Sequence, residues 1–376
     1  MNEIDIAICG AGPVGLAAAL LLVKHGVAPS TITVLDARSA EQAAADPRSI
    51  AISYGSRQIL EQLGAWPIAA DAIEQIHVSR RGHFGRTLID RKEMDVPALG
   101  YVTRYGALTT ALGAAAERAA ITVVRSCMVE RAEEAEDAVT LSASTQALRA
   151  KIVIQAEGGL FDQQKEKGLR RDYEQSAVVA QVWCSAPVKH RAFERFTEEG
   201  PLALLPQEGG YALVWCVRPE RADALLALPD GAFLDALAEA FGTRVGSFTR
   251  ATPRHAFSLG LNAQAADTRR IIAIGNASQT LHPVAGQGLN LGLRDAVVLA
   301  QCLREGATPA SLAHAAQQRK TDRNLTIRLT DTMARVFASA PDGSLSQGLL
   351  GASLGAIDLF KPAKAALAEQ MMFGWR

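Results

Sequence analysis

Ile4-Asp5-Ile6-Ala7-Ile8-Cys9-Gly10-Ala11-Gly12-Pro13-Val14-Gly15 is the stretch on which the fold is decided. Its first half alternates and then merges into a short apolar run, the pattern of a buried parallel strand, and Gly10 ends it. Residues 13–25, rich in alanine and leucine, read as a helix, and residues 31–35 as a second strand ending at Asp36, which completes a βαβ unit. In that setting the glycines have separate tasks. Gly10 permits the tight turn, Gly12 lets a pyrophosphate approach the backbone, and Gly15 lets helix and strand pack closely, with free N–H groups at the helix start facing the phosphates. The carboxylate of Asp36, followed by Ala37 and Arg38, stands where it can accept both ribose hydroxyls of an adenosine and would repel a 2′-phosphate. The motif, with Pro13 and Val14 inside it, predicts a bound dinucleotide but does not choose between FAD and NAD.

A second glycine-bearing stretch, Gly275-Asn276-Ala277-Ser278-Gln279-Thr280-Leu281-His282-Pro283-Val284-Ala285-Gly286-Gln287-Gly288-Leu289-Asn290, follows an apolar strand at 271–274 and leads into a helix running through Leu303. Asn276 can hydrogen-bond a ribityl hydroxyl, and residues 286–290 can bring backbone N–H groups and a helix N-terminus against the pyrimidine edge of a flavin. A partial positive charge there favours the anionic reduced form.

Outside these two stretches the chain reads as an α/β protein in two lobes, because its 376 residues exceed the ~250–300 at which single cores stop growing. A helix at 107–120 precedes strands at 121–124 and 152–154 that return to the first sheet, and 323–337 places Leu325, Leu329, Met333 and Val336 at helical spacing. Between about 176 and 260, segments rich in β-branched and aromatic residues read as an antiparallel sheet. The expected organisation is a Rossmann-type FAD-binding domain split in sequence (1–75, 101–175 and 263–310), a substrate domain from 76–100 and 176–262, and C-terminal helices over 311–376. Residues 39–46 read as a loop of polar and small residues.

Composition narrows the function classes. The 39 basic residues balance 39 acidic ones, so the chain has no strong field with which to hold nucleic acid. The five cysteines form no Cys-x-x-Cys pair and the histidines show no metal spacing, which predicts reduced thiols and no metal site. The longest apolar run, Ala17 to Val23, is far short of the ~20 residues that cross a bilayer, and the start of the chain carries acids where a secretory signal carries lysines. A cytoplasmic protein is expected, with peripheral contact on the inner membrane face left open.

The second glycine stretch resembles the flavin-contacting signature of the single-component FAD-dependent aromatic hydroxylases, the p-hydroxybenzoate hydroxylase class. With Asn276 and Gln279-Thr280-Leu281-His282-Pro283-Val284-Ala285-Gly286 it is most similar to the ubiquinone-biosynthesis branch, in particular the 2-octaprenyl-6-methoxyphenol hydroxylases. Asp46-Pro47-Arg48-Ser49-Ile50-Ala51 resembles the arginine loop of that branch, and Arg191-Ala192-Phe193-Glu194-Arg195-Phe196-Thr197 its middle sheet, so the resemblance spans residues 1 to about 300. It implies FAD reduced by NAD(P)H, reaction with O2, and oxygen transfer to an electron-rich ring held between the flavin and the middle sheet. It also implies a polyprenylphenol substrate, an apolar channel for its tail, and contact with a membrane or with other ubiquinone-biosynthesis proteins. Met371, Met372, Phe373 and Trp375 are the candidates for membrane contact.

By the same resemblance Arg48 contacts the FAD phosphates or the incoming nicotinamide nucleotide; read on its own it is a solvated loop arginine. Arg104 reads either as reaching the flavin from a helix start or as a surface salt bridge, and His282 either as a partner for substrate or water or as a structural histidine. One segment departs from the class, which carries Ala-Asp-Gly, a small pair and Ser where this chain has Ala156-Glu157-Gly158-Gly159-Leu160-Phe161. Glu157 keeps the carboxylate and stays with Gly158 among the cofactor candidates, whereas Phe161 cannot replace a hydroxyl, which bears on nicotinamide use or loop geometry. No residue is assigned as acid or base. Two other functions fit the same motifs: a prenyl-chain reductase, which would consume no oxygen, and a noncatalytic flavin-binding subunit.

Overall fold

The computed structural model describes residues 2–81, 86–144, 147–157, 170–262, 267–283, 286–338 and 361–374. Its cofactor sheet is built on five parallel strands in the order Thr122–Val124, Ile32–Leu35, Asn2–Cys9, Ala147–Gln155 and Ile271–Ala273. The strands expected at 4–9, 31–35, 121–124, 152–154 and 271–274 are thus all present. Because they run the same way, their carboxyl ends share one edge, and the chain leaves that edge at Gly10, Asp36, Arg125, Ala156 and Ile274. Ligand sites of open parallel sheets lie outside this edge. An antiparallel hairpin, Val129–Glu134 with Val139–Ala143, extends the sheet. The sequence pattern misses it because Val129-Glu130-Arg131-Ala132-Glu133-Glu134 is largely exposed and charged.

The helix Pro13–Lys24 begins with proline at its first position and is buried along Leu16 to Leu22, which explains why its sequence is apolar on every side. Residues 39–46 contain more order than a loop: a short helix, Ala40–Ala44, is stabilised by a capping box in which the Ser39 hydroxyl accepts from the Gln42 backbone N–H and the Gln42 side chain accepts from the Ser39 N–H.

The middle sheet runs Phe248–Ala251, Arg170–Cys184, Gly210–Val217, Pro201–Gln207, Arg191–Phe196, Gln75–Arg80 and Arg86–Asp90, with His255–Asn262 also paired to Arg170–Cys184. It is antiparallel as expected except where Arg191–Phe196 meets Gln75–Arg80 in parallel, two strands that come from distant segments rather than a hairpin. One face of the sheet packs Phe193, Leu204, Leu213 and Trp215 against Phe233, Leu237 and Phe241 of the helix Asp230–Phe241. The other face looks toward the cofactor sheet. A small sheet of Ser49–Ser53, Gly100–Arg104 and Ala70–Ile73 sits at the junction.

The long helix Pro309–Ala338 contains the stretch read as helical from Leu325 onward, the side chains of Leu329, Met333 and Val336 lying outside the described residues. It is fastened by an ion pair between Arg319 Nε and Asp295 Oδ1 at 2.8 Å, both side chains almost fully buried. The pair is fully embedded in hydrogen bonds: Asp295 Oδ2 accepts from Gly275 N (3.2 Å) and Gln279 Nε2 (3.1 Å), and Arg319 Nη1 donates to the Ala273 carbonyl (3.1 Å).

The reading of the C-terminal residues as membrane contacts needs correction. In the helix Lys361–Phe373, Met372 is 4% exposed and packs with Ile89 and Leu99, Met371 faces an internal cavity, and Phe373 meets Tyr54 edge to face at 6.1 Å; Trp375 lies outside the described residues. Met372 is thus buried, and Met371 and Phe373 are half-buried against the protein.

Asp295→Ala leaves the Arg319 guanidinium buried without its counter-charge, so the chain should lose about 3–5 kcal/mol of stability. Urea unfolding followed by circular dichroism checks this; a loss below about 1 kcal/mol would show that the pair does not fasten the helix.

Candidate active site

At the first glycine turn Gly10 has a φ of +106°, and a Cβ on Gly12 would come within 2.8 Å of the Tyr105 hydroxyl. Gly12 is the extended N-cap of Pro13–Lys24 and no side chain caps that helix, so the N–H groups of its first turn are left for a ligand. Asp36, 6% exposed, ties the turn together, since Oδ2 accepts from the Ala11 N–H at 2.6 Å and Oδ1 from the Arg38 N–H at 2.8 Å. Each oxygen keeps a further lone pair for a ribose hydroxyl. Two guanidinium groups flank the carboxylate, Arg38 at 3.5 Å and Arg125 at 3.8 Å. Arg125 was not anticipated, although a strand at 121–124 beside one at 31–35 places the next residue next to Asp36.

Val14 joins the two glycine stretches: Cβ atoms on Gly275 and Gly292 would lie 3.2 and 2.7 Å from its methyl groups. Gly286, at φ +59°, is the left-handed N-cap of the helix Gln287–Cys302, which also lacks a side-chain cap. Asn290 acts on this turn rather than outward. Its Oδ1 accepts from the Ser53 N–H at 2.9 Å and its Nδ2 donates to the Gly286 carbonyl at 2.8 Å, which fixes the turn against Ser49–Ser53. Asn276 is exposed beside Gly288, and both line a cavity with Pro283 and Leu289. Two uncapped helix starts and glycines that no Cβ could replace make a cradle for an extended, anionic dinucleotide.

The two arginines read from the sequence part company. Arg48 is paired with Asp46 at 2.7 Å and lies over the Tyr105 ring at 4.6 Å, on the side where Tyr105 meets Gly12. Arg104 donates to both oxygens of Glu208, at 2.9 and 2.6 Å, to the Pro47 carbonyl at 3.0 Å and to Gln181, so its guanidinium is held in an ion pair between the lobes. Glu157 is exposed at the end of Ala147–Gln155; Gly158 and the divergent residues through Phe161 lie outside the described residues.

Between the second glycine stretch and the inner face of the middle sheet lies a cavity of about 380 Å3, walled on one side by Pro283, Gly286 and Leu289 and on the other by Val78, Glu194 and Val214. His282 forms part of the wall, but its Nε2 donates to Gln175 Oε1 at 3.0 Å and its ring meets Tyr173 edge to face. Burial holds its imidazole down at about 4, so it is neutral at pH 7. Glu194 is the opposite case. Burial among apolar neighbours pushes its carboxyl up to about 7, and its Oε1 is buried with no hydrogen-bond partner.

A family profile described as an FAD binding domain matches residues 3–327. Over 389 residues the chain is 30% identical to the ubiquinone hydroxylase UbiL of Rhodospirillum rubrum, covering 98% of this chain and 89% of that one. The chain belongs to the FAD-dependent aromatic hydroxylase family. This hydroxylase is also 30% identical over 321 residues to the 3-demethoxyubiquinol 3-hydroxylase of Escherichia coli, covering 80% and 79% of the two chains. Its fold is shared with p-nitrophenol 4-monooxygenase PnpA from Pseudomonas putida DLL-E4, with a TM-score of 0.79 at 18% identity and full coverage of both chains. The family decides what the first motif leaves open: the dinucleotide is FAD. The cradle fits it: Asp36 would hold the adenosine ribose, the uncapped helix start after Gly12 the pyrophosphate, and the turn from Gly286 to Asn290 the flavin.

Two outcomes are expected from this geometry. Gly12→Val would drive a branched side chain into the Tyr105 hydroxyl and the phosphate path, so the purified variant should retain less than about a tenth of the wild-type flavin absorbance, a loss of at least ~1.4 kcal/mol in binding; undiminished flavin would refute the placement. Glu194 holds its proton more tightly folded than unfolded, so wild-type stability falls as pH rises from 4.5 to about 7 and is level above. The melting temperature of Glu194→Gln relative to wild type should therefore climb over that window, and a gap that does not change with pH would refute the buried ionisation.

Proposed function

We propose that this hydroxylase oxidises a polyprenylated phenol in ubiquinone biosynthesis. One oxygen atom of O2 enters the ring as a hydroxyl and the other leaves as water, with a hydride (two electrons and one proton) from NAD(P)H and a second proton from solvent. The observation that carries the reading is the shape of the cavity. Its main chamber has room for a substituted phenol, and Ala51, Ile73, Ile76, Ile89 and Met371 are shared with a second, apolar pocket of about 70 Å3 bounded by Leu99 and Met372. A ring in the main chamber would thus have an apolar path for the start of an isoprenoid tail.

FAD, when bound, supplies the activation of O2 and the delivery of one oxygen atom to the ring. The chain's own residues do the rest. The helix start at Gly286 directs N–H groups and a partial positive charge to the pyrimidine side. Ile50, Val78, Phe196 and Leu205 keep water from the reacting atoms, and the neutral His282 brings no competing charge. A substrate of this class partitions into the bilayer, so the protein collects it at a membrane surface by peripheral docking, alone or with other ubiquinone-biosynthesis proteins. Among the described residues no helix is long and apolar enough to cross a membrane.

The test is NAD(P)H and oxygen consumption by the FAD-loaded protein with and without a short-tailed prenylphenol. Stimulated uptake of both, with one hydroxyl gained by the product, is expected. Stimulated NAD(P)H oxidation without oxygen uptake would indicate a reductase, and bound flavin with no stimulation would indicate a noncatalytic subunit.

A further inference from the structure

The cavity wall carries one carboxyl that the fold does not use. In the middle sheet Glu194 stands in a row with Val78, Ala203 and Val214, fixed by the pairings Glu194↔Val78, Glu194↔Ala203 and Ala203↔Val214. These residues line the cavity, while the alternate positions Leu204 and Leu213 pack on the helical side of the sheet. Strand alternation therefore presents a carboxyl where the pattern of its neighbours is apolar. A buried carboxyl without a partner costs stability, and Glu194 Oε1 has none.

The other titratable groups around it are engaged or silent. His282 is neutral and bound to Gln175, the Lys364 ammonium is 2.9 and 3.0 Å from the Glu93 oxygens, and burial, followed by the charge of Glu194, pushes the Cys216 thiol well above its ordinary range. Glu194 thus lines the same space that the flavin-side residues Pro283, Gly286 and Leu289 enclose, with no protein group bonded to its Oε1.

We infer that Glu194 is a catalytic residue that accepts the hydrogen bond of the substrate's ring hydroxyl and takes its proton as the ring is hydroxylated. The inference rests on the phenol reading given above. As the ring carbon bonds to the incoming oxygen atom, the hydroxyl proton passes to a Glu194 carboxylate oxygen and its electrons move into the ring. On rearomatisation the carboxylic acid returns that proton to the same oxygen, and the displaced C–H proton ends in the water released. With its carboxyl near 7, Glu194 exchanges a proton readily at neutral pH.

The test uses the FAD-loaded full chain, its Glu194→Gln and Glu194→Met variants, and two probes, a short-tailed prenylphenol and its methyl ether, with binding read from the flavin absorbance. Wild type should prefer the phenol over the ether by about 10- to 100-fold, the span of one charge-assisted hydrogen bond. Glu194→Met should bind the ether like wild type, lose the preference to within about threefold, and lower kcat on the phenol by about 100-fold or more. Glu194→Gln, which keeps the shape of the side chain, should lose kcat and the acid limb of the pH profile, and serves if the methionine variant does not fold. Unchanged phenol preference in both variants would overturn the inference even if wild type hydroxylates the phenol. If wild type binds with the Glu194-dependent preference but never turns over, the hydroxylation reading fails while the recognition role stands.

Discussion

The first helix can lie on the first strand only because residue 15 has no side chain: a Cβ there would sit 1.9 Å from the Gly10 carbonyl oxygen. That contact sets where Val14 stands, and Val14 in turn fills the space left by Gly275 and Gly292. The two halves of the cofactor cradle, far apart in the chain, are brought into register through one valine and three missing side chains. Packing of this kind tolerates no added methyl group, because protein interiors already approach crystal density.

Polar groups are spent in two different ways across the molecule. Around the two glycine turns they are paired densely: Asp36 with Ala11 and Arg38, Asn290 with Ser53 and Gly286, Asp295 with Arg319, Gly275 and Gln279. Such closed networks fix backbone positions, which a cofactor site needs. The large cavity beside the middle sheet is different, with an apolar wall interrupted by a carboxyl whose Oε1 has no protein partner. Stability is given up there, the usual sign of a position kept for chemistry rather than for the fold.

The cofactor fold was legible because its evidence is local. Gly10, Gly12, Gly15 and Asp36 lie in one βαβ unit, and the stretch from Gly275 to Asn290 carries its strand and helix with it. What escaped depends on partners distant in sequence. Asp295 lies in the helix that the second motif leads into, yet its meaning comes from Arg319 on another helix. Arg125 and Tyr105 matter because strand order and helix packing place them beside Asp36 and Gly12. Glu194 lay within a recognised segment, but only sheet register shows which face it occupies. Met371 to Phe373 looked like a surface anchor because exposure cannot be read from apolarity alone.

The middle sheet is inserted between two strands that are neighbours in the cofactor sheet. Val153 pairs with Ile271 and Ile154 with Ile272, and the whole of the middle lobe's later strands lies between them in sequence. Left unfolded, that segment would be a long loop whose ends must be held together, and its closure would weigh on the cofactor sheet as lost chain entropy. Once folded, it delivers its two ends side by side. The middle lobe therefore also acts as an entropic staple, so damage deep in the middle sheet is felt as a loosened pairing of two strands that it does not contain.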